Sequence, residues 1–177
     1  MTDRAHDDRG LWRKALVTVP VIVILGLIAG AVSNTGFDNG WYAALEKPSF
    51  QPPGWAFGAA WTTLYTMMGI ALAAIANEPK SPQRSAALGL FVAQLALNFS
   101  WSPIFFGGGM IDVGLLVIIA MTVLAMMTTI AFWKIRPLAG ALLIPYLAWL
   151  CISTALNFET GRLNPGADKA PLGITGA

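Results

Sequence analysis

Residues 41–65 read WYAALEKPSFQPPGWAFGAAWTTLY, a Pro-rich loop that passes directly into a hydrophobic helix. Lys47-Pro48 and Pro52-Pro53 fix φ at each proline and bias the preceding residue towards extended backbone. The loop is therefore predicted to be stiff, and the helix to begin no earlier than Pro52. From Phe57 onward, Phe57, Trp61, Tyr65 and Met68 recur at helical spacing and share one face. With Trp41, Tyr42, Phe50 and Trp55 on the way, the stretch reads as a lid feeding an aromatic wall.

On either side of this stretch the chain is strongly apolar. Hydrophobic residues make up 56% of its 177 residues and charged residues 11%, with a mean hydropathy of +0.63. Soluble domains carry about 25% charge, so the composition is that of an integral membrane protein. The net charge of +2 is small and the basic residues are scattered, which argues against nucleic acid as a partner. A single cysteine, Cys151, excludes an intrachain disulfide, and the single histidine, His6, lies in a polar stretch, so no histidine-ligated metal or haem is expected within the membrane.

Five apolar runs, 15–33, 55–76, 85–106, 113–133 and 138–158, are free of Asp, Glu, Lys and Arg, and each is long enough to cross about 30 Å of hydrocarbon. The first could also be read as a cleavable signal peptide, but its apolar length is at the upper limit for one. Short connections imply an all-α, five-helix up-and-down bundle over 15–162, between a polar N-terminal tail, 1–14, expected to be disordered or surface-bound, and a polar C-terminal tail, 163–177. Arg4, Arg9, Arg13, Lys14, Lys80, Arg84, Lys134 and Arg136 fall on one side, against Lys47, Arg162 and Lys169 on the other. The positive-inside rule then places the N-terminus in the cytoplasm and the Pro-rich loop outside, for insertion in a bacterial cell membrane; delivery to an outer membrane is the alternative.

Two spans carry patterned faces. In the third, Ser85, Gly89, Ala93, Ala96, Ser100 and Gly107 form a stripe of small residues, and Gln94, Asn98, Trp101, Ser102 and Phe105 cluster roughly 165° away. Small residues let backbones approach in lipid, so the stripe reads as a helix contact, either between subunits or within the chain. In the fifth, Leu142, Tyr146, Trp149, Ser153 and Asn157 share a face beside Pro145, which can kink the helix. Trp61 and Trp149 lie too deep for an interfacial belt; they either wall an internal space or pack as core.

The catalytic inventory is thin. The sequence offers no buried carboxylate pair, no Ser/His/Asp set, no metal-ligand spacing and no phosphate-binding Gly loop. Gly107-Gly108-Gly109 reads as a turn, and Asp112 and Glu159 as caps at span ends. The absence of charge within the spans argues against a proton-coupled pump or a charge-lined channel. What remains is an aromatic pocket with a few neutral hydrogen-bonding groups, suited to a large, planar, apolar ligand.

These residues resemble the translocator protein and tryptophan-rich sensory protein (TspO/MBR, peripheral benzodiazepine receptor-like) family, from the first span to Arg162. The resemblance rests on residues 41–65, on LNFSWSPIFF in the third span and on LLIPYLAWLCISTALNFETGRLN in the fifth. It implies a five-helix bundle, usually a homodimer, that binds porphyrins such as protoporphyrin and other hydrophobic ligands, sterols and isoquinoline carboxamides among them, beneath the first loop. No cofactor is required in this reading, and porphyrin is a ligand. Matched by motif, the ligand site comprises Tyr42, Trp61, Tyr65, Asn98, Trp101, Ser102, Trp149 and Ser153; for a homodimer, the small stripe read from helical spacing, Ser85, Gly89, Ala93, Ala96 and Ser100, is the expected contact. The leading expectation is a binding protein that senses or regulates tetrapyrroles, and the thin catalytic inventory weighs against an ordinary enzyme without deciding the matter. Some members are linked to light- and oxygen-dependent porphyrin breakdown, in which Trp61 and Trp149 would act; a porphyrin carrier is a further alternative. The sterol pattern of animal members has a Tyr in the last span, where this chain has Phe158.

Overall fold

A segment that crosses hydrocarbon must satisfy its own backbone hydrogen bonds, and this chain does so with helices. The computed structural model of the protein describes the backbone of residues 2–176 and the side chains of residues 9–176. The elements are α1 (Thr2–Val32), α2 (Gly40–Ala44), α3 (Gly54–Asn77), α4 (Pro82–Ser102) with a π-helical turn at Pro103–Gly107, α5 (Ile111–Ile135), α6 (Pro137–Ala141) and α7 (Ile144–Leu163). Five are long and apolar enough to span a membrane: Arg9–Val32, Gly54–Asn77, Pro82–Gly107, Ile111–Ile135 and Pro137–Leu163. The fold is thus an all-α, five-span membrane bundle. Hydroxyls within it are satisfied locally, as Thr62, Thr66, Thr122, Thr128, Thr129 and Thr154 each donate to the carbonyl four residues back.

Spatial order differs from chain order. α1 packs mainly on α3, α4 on α5, and α5 on both α6 and α7, while lighter contacts of α3 with α6 and of α1 with α4 close the ring. The α1–α3 seam depends on Gly69, where a Cβ would stand 2.6 Å from the Cα of Val19. Beside it the Thr18 hydroxyl donates to the Gly69 carbonyl at 2.7 Å. Such close approach is the means by which helices gain contact in lipid.

Three local features add detail to the expectations above. The N-terminal stretch, expected to be disordered or surface-bound, continues α1 back to Thr2. Leu11 and Ala15 are buried, and Lys14 Nζ donates to the Ala76 carbonyl at 3.0 Å and to Asn77 Oδ1 at 2.8 Å. A cation at the C-terminal end of α3 answers its unpaired carbonyls, and this contact anchors the extension. The Pro-rich loop contains the short helix α2, capped by Asn39, whose Oδ1 accepts from Tyr42 N at 3.1 Å. The last span is broken between α6 and α7, because Pro145 has no N–H to offer the Ala141 carbonyl; Leu143 N bonds Gly140 O instead, and regular helix resumes with Leu147 N on Leu143 O. The break directs Tyr146 into the core, where it is fully buried.

Candidate functional site

The site begins with Pro103. Lacking an N–H, it cannot continue the α-helical ladder of α4, and the chain widens into a π-helical turn in which Gly108 N bonds Pro103 O at 2.8 Å. The altered register buries the consecutive rings of Phe105 and Phe106 together. Trp101 stacks on Phe105, with centroids 4.9 Å apart at 16°. Tyr42, brought down by α2, meets Phe106 edge-on at 4.9 Å, and Asn39 Nδ2 donates to the Phe106 carbonyl at 3.0 Å. The loop is thereby fastened across one end of the bundle.

Lys47 holds the loop in shape. Its Nζ donates to the carbonyls of Tyr42 in α2 and of Leu45, the residue that caps it, and lies 4.4 Å from the centroid of the Tyr42 ring. Burial pushes the Tyr42 phenol up from its ordinary value, opposed by a hydrogen bond to Gln51. Burial also lowers Lys47.

Beneath the loop lies a cavity of about 530 Å³, walled by α1, α3, α4, α5 and α7. None of the described residues that line it carries a charge. Its volume falls within the range of small-molecule and cofactor sites. Trp61 and Tyr65 form one wall, with centroids 5.2 Å apart. At the deep end Tyr65 Oη donates to Asn98 Oδ1 at 2.8 Å, Asn98 Nδ2 to Tyr146 Oη at 3.0 Å, and Tyr146 Oη to Gln94 Oε1 at 2.9 Å. Asn98 is therefore tied between two tyrosines, which fixes its amide. Nearer the loop, the hydroxyls of Thr35 and Ser102 share a hydrogen bond that joins the turn after α1 to the end of α4.

Of the eight residues predicted to contact ligand, Tyr42, Trp61, Tyr65, Asn98, Trp101, Ser102 and Ser153 line this cavity, and Trp149 does not. Trp149 stands behind the wall, edge-on to Phe57 at 5.7 Å and to Trp61 at 6.4 Å, with its buried Nε1 unpartnered among the described residues. Helical spacing put it on the face of Ser153, but the rings of Phe57 and Trp61 stand between it and the cavity.

Lining residues not singled out for the site include Phe37, Gln51, Phe57, Phe106, Asn157 and Thr160. Asn157 was legible from its spacing to Ser153; Phe37 and Gln51 had no periodic signal, because they lie in irregular chain. Gly26 was also silent in the sequence, yet a Cβ there would stand 2.1 Å from the Tyr65 ring. Of the small stripe, Ser85, Gly89, Ala93 and Ala96 face outward and Ser100 is half-buried, and a Cβ on Gly89 would meet nothing within 4 Å. Cys151 is exposed on the outer surface of α7, and the side chain of His6 lies outside the described residues.

A five-span bundle with an uncharged aromatic cavity under a pinned loop defines the class: a multi-pass membrane protein with an apolar pocket of ligand size. The sequence profile of the TspO/MBR family matches residues 17–163. The chain is 41% identical to the human translocator protein over 144 residues, 80% of this chain and 85% of that one. It is 41% identical to the tryptophan-rich sensory protein of Cereibacter sphaeroides over 138 residues, 76% and 85% of the two chains, and 36% identical to protein CrtK of Rhodobacter capsulatus over 154, 86% and 96%. The chain belongs to the TspO/MBR family.

Proposed function

We propose that this protein binds porphyrins, protoporphyrin foremost, in the cavity beneath the loop, and acts in tetrapyrrole sensing or regulation. The observation that carries the reading is the uncharged cavity of about 530 Å³ with Trp61, Tyr65, Trp101 and Phe105 around it, since flat aromatic walls favour a planar conjugated ligand by stacking. Porphyrin should quench tryptophan fluorescence on titration, with saturation at one ligand per chain; the absence of quenching at any concentration removes the reading. Sterols and isoquinoline carboxamides, which share the apolar and planar character, compete for the same space in this reading.

Homodimerisation belongs to the same proposal. The outward small stripe of α4 is the surface on which a second copy would pack, as its residues permit close backbone approach. The loop is assigned to the outer side and the N-terminus to the cytoplasm, by the distribution of basic residues.

One observation favours a second reading, light- and oxygen-dependent porphyrin breakdown. Trp61 lines the cavity with Trp149 directly behind it, so an oxidisable ring at the ligand has another at its back. Illumination of the complex in air, with product analysis, separates binding alone from degradation.

A further inference from the structure

Beyond residue 163, where the family profile ends, the chain turns back over the loop end of the bundle. This strap, residues 164–176, is fastened at both edges. On one side Asp112, fully buried in the first turn of α5, accepts from the backbone N–H groups of Leu172 at 2.8 Å, Ile174 at 3.1 Å and Thr175 at 3.2 Å, and from the Thr175 hydroxyl at 2.7 Å. Asp168 returns the arrangement, its Oδ2 accepting from Asp112 N at 2.7 Å and its Oδ1 from Ala170 N at 2.9 Å. Thr175 sits so close on α7 that a Cβ on Gly161 would stand 2.3 Å from its hydroxyl oxygen.

On the other side the strap holds the lid. Trp41 Nε1 donates to the Ala167 carbonyl at 3.1 Å. Asn164 makes a reciprocal pair with Glu46, its Oδ1 accepting from Glu46 N at 2.7 Å and its Nδ2 donating to Glu46 O at 2.9 Å. Trp41 and Glu46 bracket Tyr42, a lid residue that faces the cavity. A buried carboxylate with four donors is a strong anchor, because charge-assisted hydrogen bonds out of water are the expensive ones to break.

We propose that Asp112 and Thr175 are positioning residues: through the strap they latch the lid over the cavity and set the rate at which ligand enters and leaves. Neither touches the cavity. The lid half of this proposal stands on the contacts above; the kinetic half rests on the porphyrin reading.

The test uses the full chain with Cys151→Ser as background and a nitroxide at Phe50→Cys on the lid or at Lys80→Cys at the opposite end. Thr175→Val removes one hydroxyl and leaves the backbone donors, so it is the variant that should fold; Thr175→Ser restores the hydroxyl. Thr175→Val is expected to mobilise the lid label and not the Lys80 label, and Thr175→Ser to reverse it. Protoporphyrin association and dissociation should both rise about fivefold or more, with a smaller change in their ratio, the loss expected for one hydrogen bond to a charged group. Asp112→Asn should do more in the same direction. An immobile lid label in Thr175→Val, or equal loosening of both labels, overturns the latch. A mobilised lid with unchanged rates overturns its control of ligand exchange. The lid readout needs no ligand, so failure of porphyrin to bind leaves the latch judged by the labels alone.

Discussion

At the end remote from the loop, Ala71, Ala73, Ala74 and Ile75 of α3 share one cluster with Phe91 and Phe132, all with at most 1% exposure. At the loop end, Trp61, Tyr65, Trp101 and Phe105 stand around an open cavity. The first region fills its space with small residues on α3 and with two rings stacked 5.6 Å apart at 12°. The second keeps its helices apart, with a smaller cluster of Tyr42, Leu45, Phe105, Phe106 and Ile111 roofing the gap. In lipid, where no hydrophobic driving force pulls helices together, side-chain volume at each level decides whether a bundle closes. Small residues close it. Large flat ones, braced by a pinned loop, hold it open and leave a ligand-sized space.

The sharpest way to break the closed region is Gly69→Leu. A side chain there would displace the backbone of α1 at Val19, and we expect a loss of about 3 kcal/mol, read as a lower midpoint in denaturant and a concurrent loss of ligand binding. In the open region, Trp61→Ala should weaken porphyrin by roughly 1–3 kcal/mol with little change in stability, because the removed ring faces a cavity. Trp149→Ala should cost less affinity, since it reaches the ligand only through Trp61 and Phe57; titration of both variants ranks the two tryptophans. An equal loss in both would place Trp149 at the ligand after all.

A milder effect is expected on assembly. Gly89→Leu and Ala93→Leu enlarge the outward stripe without touching either region of the core, and should shift a dimer towards monomer in mild detergent while leaving porphyrin affinity intact. Sizing of the purified variants checks this.

The roof offers a pH dependence. Burial places the Tyr42 phenol above its ordinary 10.0. A group whose folded value is raised contributes in full below the unfolded value, and that contribution fades as pH rises through the folded one. Lid mobility at a Phe50 label should therefore increase above pH about 10, and Tyr42→Phe should remove that component. The smallest effect expected is none at all: His6→Ala and Cys151→Ser should leave porphyrin affinity and the haem absorption spectrum unchanged, as Cys151 faces outward and does not line the cavity. A lost Soret shift in either variant would show iron ligation.

Much of this was written locally in the chain. The five spans follow from runs of apolar residues, and the wall of Trp61 and Tyr65 and the face of Asn98, Trp101 and Ser102 follow from helical spacing, because a helix turns side chains through a constant angle whatever surrounds it. The stiff loop follows from its prolines. Tertiary structure alone decided the rest. That α3 meets α6 and α1 rather than chiefly its neighbour α4, that Trp149 is screened by Trp61, and that Gly26 yields to the Tyr65 ring depend on which helices adjoin and how closely. The strap is the clearest case: polar and without periodicity, residues 164–176 gain their order from Asp112, Trp41 and Glu46, partners that lie far away in sequence. Spacing encodes the faces of a helix; the meeting of faces is set by the volumes and hydrogen bonds of the assembled bundle.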